Sequence, residues 1–226
     1  MISSRSPIKR LSWDSNFFGI EVGQILLKDE KLDVLKKNNF DLIYVHSDKP
    51  LKDFSIHCYD KKVTFKKVLP AQTNIKKLNS VKTYQRELTP SLLNLALISG
   101  KYSRFKSDPK LSPYFEELYK LWILNSLSGV LADYVFIYEK ENEIIGFVTL
   151  KKKEKYYQIG LIATSTQHRG LGIGFALLQK VDETIILEGG GELKVITQID
   201  NDTACQFYKK NNFQIDHLEY IYHLWK

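Results

Sequence analysis

Three glycines stand directly before an apolar helix in TQHRGLGIGFALLQ, residues 166–179. A strand feeding a glycine-rich turn that opens a helix gathers free backbone N–H groups at the positive end of the helix dipole, which makes a site for an anion. Gly170, Gly172 and Gly174 carry no Cβ, so a pyrophosphate can lie against the amides of Gln167 to Gly174, with Arg169 adding a charge-assisted contact. The competing reading is a tight turn with close packing of helix on sheet, and glycine spacing by itself does not separate the two. A nucleoside triphosphate loop needs Lys followed by Ser or Thr after the last glycine, where this chain has Phe175-Ala176. A dinucleotide fingerprint needs GxGxxG after the first strand of a βαβ unit, whereas GxGxG comes here late in the chain.

The elements that would hold this turn follow from periodicity. Thr89-Pro90 starts a helix that Gly100 ends, and Ser112-Pro113 opens a second one through Leu118, Leu121, Trp122 and Leu124, stopping near Gly129. ADYVFIYEK and EIIGFVTLKK flank a hairpin turn at Glu141-Asn142, and YYQIGLIAT is a third strand ending just before the glycines. Phe175, Leu178, Val181, Asp182 and Ile185 keep helical spacing until Gly189-Gly190-Gly191. LKVITQI then reads as a strand, Thr203 to Lys210 as a short helix, and FQIDHLEYIYHLWK as a closing strand pair. Earlier, IEVGQILL, FDLIYVHS, FSIHCYD and KVTFKKVL have strand length and composition, with a short helix between Asp29 and Asn39. The expected division is a small α/β domain over residues 1–82 and a second domain over 83–226.

Composition narrows the classes. With 43% hydrophobic and 26% charged residues in 226, the chain is expected to be globular and ordered. No uncharged apolar run approaches a membrane span and the start lacks a signal-peptide pattern, so the expected location is the cytoplasm. Cys58 and Cys205 form neither a disulfide framework nor a metal motif, so no metal is expected. The net charge of +7 favours anionic partners, but the lysines are scattered and form no basic stripe with interleaved aromatics, which argues against nucleic acid.

Gln167-His168-Arg169-Gly170-Leu171-Gly172 resembles the Q/R-x-x-G-x-G/A motif of the GNAT superfamily of N-acetyltransferases. Asn201, Ala204 and Tyr208, followed by Asn212-Phe213, resemble its N-x-x-A-x-x-x-Y segment and the strand start after it, with Asn212 where glycine is usual. LSWDSNFFGIEVG, SRFKSDP, LYKLWILNSLSG, GFVTL and IGLIAT extend the likeness to the TDP-fucosamine acetyltransferases, which N-acetylate dTDP-4-amino-4,6-dideoxygalactose for bacterial surface polysaccharide such as lipopolysaccharide or enterobacterial common antigen. This resemblance is weakest between Lys28 and Val81.

It implies an α/β fold of GNAT type, a mixed central sheet with strands splayed around the acetyl-CoA site, preceded by the smaller N-terminal domain. Acetyl-CoA would be the co-substrate, held by Leu161, Ile162 and Ala163 on the splayed strand, by Gln167, His168, Arg169, Gly170, Leu171, Gly172, Ile173 and Gly174 in the turn, and by Asn201, which also suits a helix cap. Tyr208 would be the general acid to the departing thiolate. For the nucleotide sugar, Arg104 suits phosphate and Phe105 can stack on a base or sugar face, with Tyr102 and Asp108 as neighbours. The competing reading makes Phe105 a core anchor. YYQIGLIAT carries no carboxylate at its centre, so the base is unassigned and a water relay is the alternative; His217 and His223 read as packing or surface residues. Expected partners are the small-molecule nucleotide sugar and, as an open option, a second copy in a homodimer, with no nucleic acid and no membrane insertion. The alternatives are acetylation of another small amine and a non-catalytic acyl-CoA-binding module.

Overall fold

Residues 8–27, 38–52, 56–71 and 80–226 are described by a computed structural model. The first part of the chain supplies strands β1 (Lys9–Arg10), β2 (Val22–Leu26), β3 (Leu42–Ser47), β4 (His57–Leu69) and β5 (Val81–Thr83). The second supplies β6 (Tyr134–Lys140), β7 (Glu143–Lys152), β8 (Tyr157–Thr164), β9 (Gly191–Gln198) and β10 (Gln214–Trp225). Together they form one mixed sheet in the order β1-β2-β3-β10-β4-β9-β8-β7-β6-β5. β4 is antiparallel to β10 on one side and to β9 on the other. The sheet therefore runs unbroken across the sequence boundary near residue 82, with an early strand seated between two late ones.

Helices cover both faces. α5 (Ile173–Leu187) and α6 (Asp202–Lys210) pack on one face through Leu177, Leu178, Val181, Ile185, Cys205 and Tyr208. The other face carries α2 (Pro90–Ser99), packed on β6 and β7, and a second cluster in which α1 (Ser12–Phe18), the single turn α3 (Arg104–Ser107) and α4 (Phe115–Leu127) meet β2, β3 and β10. Strand alternation divides the faces of β7, Val148 and Leu150 joining the α5 cluster and Phe147 the α2 cluster, and the register shift at Tyr138/Glu139 leaves Ile145 with the former and Ile144 with the latter.

The punctuation residues act as their chemistry dictates. Thr89 Oγ1 accepts from the Leu92 N–H at 3.2 Å and Pro90 takes the first helical position of α2. Glu141 and Asn142 adopt φ of 52° and 66°, the left-handed pair of a tight hairpin. Gly100 ends α2 for a different reason: a Cβ there would lie 2.2 Å from the ring of Tyr119 on α4. Gly100→Ala should therefore destabilise the protein by about 1–3 kcal/mol through overpacking, read as a lower urea midpoint with an unchanged slope.

Two sequence expectations change. FSIHCYD and KVTFKKVL, read as two strands, join in the 13-residue β4, because the lysines that interrupt the apolar run are paired, Lys61 with Asp200 at 3.1 Å and Lys62 with Glu219 at 2.9 Å. The closing strand pair is the single 12-residue β10, whose break between Ile215 and His217 is a register shift and not a turn. The helix expected between Asp29 and Asn39 falls almost wholly outside the described residues.

Candidate acetyl-transfer site

From β8 the chain passes through a 3₁₀ turn, Thr166–His168, into α5. Gly170 and Gly172 have φ of 79° and 74°, which glycine adopts without strain, and a Cβ at either would meet nothing within 4 Å. Gly174 serves packing instead, since a Cβ there would lie 3.1 Å from the ring of Phe207 on α6. The first-turn amides of α5 have no intrahelical acceptors, and no acidic side chain occupies that turn. Arg169, Leu171 and Gln167 are exposed beside it, while His168 is half-buried, with Nδ1 3.3 Å from Ser165 Oγ.

β8 and β9 run parallel and pair from Tyr157↔Leu193 to Ile159↔Val195. Beyond that point β8 follows β7 as far as Thr164, and β9 follows β4 as far as Gln198, so the sheet flares into a cleft. A register shift between Val148 and Leu150 starts the flare, where the Leu161 N–H donates to Thr149 Oγ1 at 2.8 Å. Gly160 belongs to this irregularity, because a Cβ would come 2.9 Å from that hydroxyl. Of the residues expected to hold the coenzyme, Ile162 packs toward α5, whereas Leu161 and Ala163 reach the opposite face.

On the α5 face, Tyr208 is 3% exposed, with its ring against Phe65 and Phe213, each 5.5 Å between centroids. Burial pushes its phenol well above the ordinary range, so it keeps its proton. Asn201 caps α6, its Oδ1 accepting from the Ala204 N–H at 3.2 Å. Asn212 adopts φ of 65°, the left-handed conformation that suits the glycine it replaces. The glycine turn, Asn201 and Tyr208 thus belong to α5 and α6, the helices on one face of the sheet.

Arg104 and its neighbours lie on the other face. The guanidinium sits over the rings of Tyr44 and Phe105, at 4.6 and 4.3 Å, with Nη1 3.9 Å from Asp60 Oδ2. Phe105 is 6% exposed, stacked on Phe18 and edge-on to Trp122, which makes it a core anchor. Tyr102 points outward, 44% exposed, beneath the Lys101 ammonium. Asp108 is buried and accepts from the Trp225 Nε1–H at 2.9 Å and the Lys110 N–H at 2.8 Å, while His223 Nδ1 closes on the same carboxylate. Burial lowers the His223 imidazole to about 4 against the pull of Asp108, so it is neutral at pH 7. His217 is exposed, 3.4 Å from Asp48.

Sequence reasoning missed Asp60 and Tyr44. Both sit in strands read as featureless, and the one signal was an acidic residue inside HCYDKKVTF. Burial raises the Asp60 carboxyl to about 6, with Arg104 and Lys62 pulling it down. No group of three or more His, Cys, Asp or Glu side chains that would hold a metal ion occurs among the described residues. Among them, too, no helix is long and apolar enough to cross a membrane.

A glycine turn at the head of a helix, a parallel strand pair flared below it and a buried tyrosine on the same face are what the structure brings together here. Residues 98–213 match the acetyltransferase (GNAT) family, and the chain belongs to that family, whose members draw the acetyl group from acetyl-CoA. YxbD of Bacillus subtilis (strain 168), an uncharacterized protein, is 33% identical over 78 residues, 34% of this chain and 48% of that one. The chain thus matches over about half the length of that curated relative. Among solved structures, a functionally unknown conserved protein from Staphylococcus epidermidis ATCC 12228 has a TM-score of 0.60 at 12% identity, covering 90% of this chain and 83% of its own. A protein described as a GNAT-family acetyltransferase from Novosphingobium aromaticivorans DSM 12444 has 0.54 at 11%, covering 86% and 79%. The PaiA N-acetyltransferase from Thermoplasma acidophilum, in complex with coenzyme A, has 0.50 at 19%, covering 65% and 99%. At these identities the likeness is one of fold.

Proposed function

We propose that this protein transfers acetyl from acetyl-CoA to the 4-amino group of a dTDP-4-amino-4,6-dideoxyhexose, the galacto sugar first, in the assembly of bacterial surface polysaccharide. The observation that carries the reading is that two of the segments resembling the TDP-fucosamine acetyltransferases, far apart in sequence, meet around one guanidinium. Phe18 of LSWDSNFFG stacks on Phe105 of SRFKSDP at 6.2 Å, and Asp14 lies close enough for the Arg104 charge to act on its carboxyl. A net charge of +7 suits an anionic nucleotide sugar.

In this reading Gln167 to Gly174 hold the pyrophosphate through the head of α5, and Leu161 to Ala163 with Asn201 border the pantetheine arm. Acetyl-CoA supplies an activated acyl carbon. Arg104 orients the acceptor from the opposite face of the sheet, and Tyr208 holds the proton that the departing sulfur needs. Residues 83–226 then form the transfer unit and residues 1–82 contribute a wall of the acceptor chamber. Substrates of this kind place the reaction in the cytoplasm.

The test is release of free coenzyme A thiol from acetyl-CoA with dTDP-4-amino-4,6-dideoxygalactose, with its gluco epimer, and with no acceptor. Acceptor-dependent release with one epimer is expected. Release with neither, while acetyl-CoA still binds, would remove the sugar assignment.

A further inference from the structure

Acetylating an amine requires a destination for the acceptor's proton, and β8 offers no carboxylate. Six buried side-chain nitrogen or oxygen atoms among the described residues have no hydrogen-bond partner. Five of them, Tyr44 OH, Asp60 Oδ1, Ser103 Oγ, Arg104 Nε and His223 Nε2, come from neighbouring residues on the helical face that carries α3 and α4. The links are direct: Arg104 lies over Tyr44 and beside Asp60, and the Tyr44 and His223 rings are 4.9 Å apart. Folded proteins pair nearly all such atoms. A concentration of unpaired donors and acceptors in one place calls for a polar partner that none of the described residues supplies.

Asp60 lies two residues before Lys62, where β4 begins to pair with the flared end of β9. Past Val195, β9 has left β8 and is held by β4, with Gln198 opposite Lys62. The Gln198 side chain favours the ionised Asp60 carboxylate, which associates Asp60 with the flared end of β9. From β8, Leu161 joins the cluster that includes Tyr44, Phe105 and Tyr119.

We propose that Asp60 is the catalytic base, receiving the proton of the acceptor ammonium, and that Ser103, Arg104 and Tyr44 bond the acceptor's oxygen atoms around it. The assignment rests on the amine-acetylating reading above. One proton passes from the ammonium to Asp60 and frees the nitrogen lone pair. The C–N bond forms, the C–S bond breaks with its electron pair on sulfur, and Tyr208 protonates that sulfur. The second nitrogen proton returns to Tyr208 through solvent, and Asp60 releases the first to bulk water. The groups facing Asp60 suit this role. Arg104 from α3 and Lys62 from β4 favour its charge, Glu219 of β10 opposes it, and burial dominates, holding the carboxyl near 6. Tyr119 of α4 and Tyr44 of β3 remain neutral, their phenols raised by burial. At pH 7.5 Asp60 is thus ionised and ready to accept.

Rates from pH 5 to 9 for wild type, Asp60→Asn and Asp60→Glu test it, with the two dTDP-amino sugars, glucosamine and spermidine as acceptors. Asp60→Asn is expected to lower kcat/KM about 10²–10⁴-fold and to abolish an acid limb near pH 6, with acetyl-CoA affinity unchanged. Asp60→Glu should restore part of the rate together with the limb. Above pH 6 Asp60→Asn should melt higher than wild type, since it removes a charge that burial disfavours. An intact limb or rate in Asp60→Asn, a glutamate variant no better than the asparagine one, or activity lost together with a lower melting temperature would each overturn the assignment. If wild type acetylates only glucosamine or spermidine, the sugar reading fails while Asp60 is judged on that amine. If it acetylates none of the four, both fall.

Discussion

Tyr208→Phe is expected to lower turnover about 10²–10⁴-fold while leaving acetyl-CoA affinity and melting temperature close to wild type. The ring is 3% exposed and packed among Phe65, Phe207 and Phe213, and phenylalanine fills the same space. What the substitution removes is one hydroxyl. Desolvation, with a smaller push from Cys205, holds the phenol above its ordinary range, so it carries its proton at every working pH and serves as donor and not as base. A thiolate forming nearby is the species such a donor can stabilise. Isothermal titration with acetyl-CoA beside steady-state rates separates the alternatives. Unchanged turnover would make Tyr208 a core residue only, and lost coenzyme binding would assign it to positioning.

Asp108→Ala should cost about 1–3 kcal/mol of stability, the usual consequence of leaving a buried hydrogen-bonding group without its partner. The carboxylate joins the α3 turn, through the Lys110 N–H, to the end of β10, through His223 and the Trp225 indole. Its loss leaves those donors buried without an acceptor. Urea melts at pH 7 measure the cost, and the pH dependence identifies the partner. His223 falls from an ordinary 6.5 to about 4 on folding, so the unfolded chain binds the extra proton, and stability is lost as pH drops from 6.5 toward 4, by up to about 3 kcal/mol. Asp60, raised from 3.8 to about 6, acts in the opposite sense and gains stability as pH falls through 6. The two trends offset one another in wild type. In an Asp60→Asn background the His223 decline should stand clear, and replacing His223 by Phe there should remove it.

The glycine turn and α6 were legible because their information is local. Positive φ at Gly170 and Gly172, and the cap at Asn201, are matters of a few consecutive residues. The same holds for Thr89-Pro90 and Glu141-Asn142. Gly174 and Gly100 were legible as glycines but not for what they do, since the rings of Phe207 and Tyr119 that require them arrive from other helices. Phe105 shows the converse: its type suited a ligand, and packing on Phe18 and Trp122 placed it in the core.

Motif, helix caps and the succession of elements around the glycine turn were thus set by sequence alone, because backbone conformation and helix polarity depend on near neighbours. The polar cluster around Arg104 was decided by tertiary structure. Tyr44, Asp60, Ser103, Asp108 and His223 come from β3, β4, the turns around α3 and β10, and no spacing relates them. They meet because β4 enters the sheet between β9 and β10, a long-range pairing that brings an early carboxylate to the edge of a late cleft. There, burial gives it a proton affinity that its place in the sequence does not show.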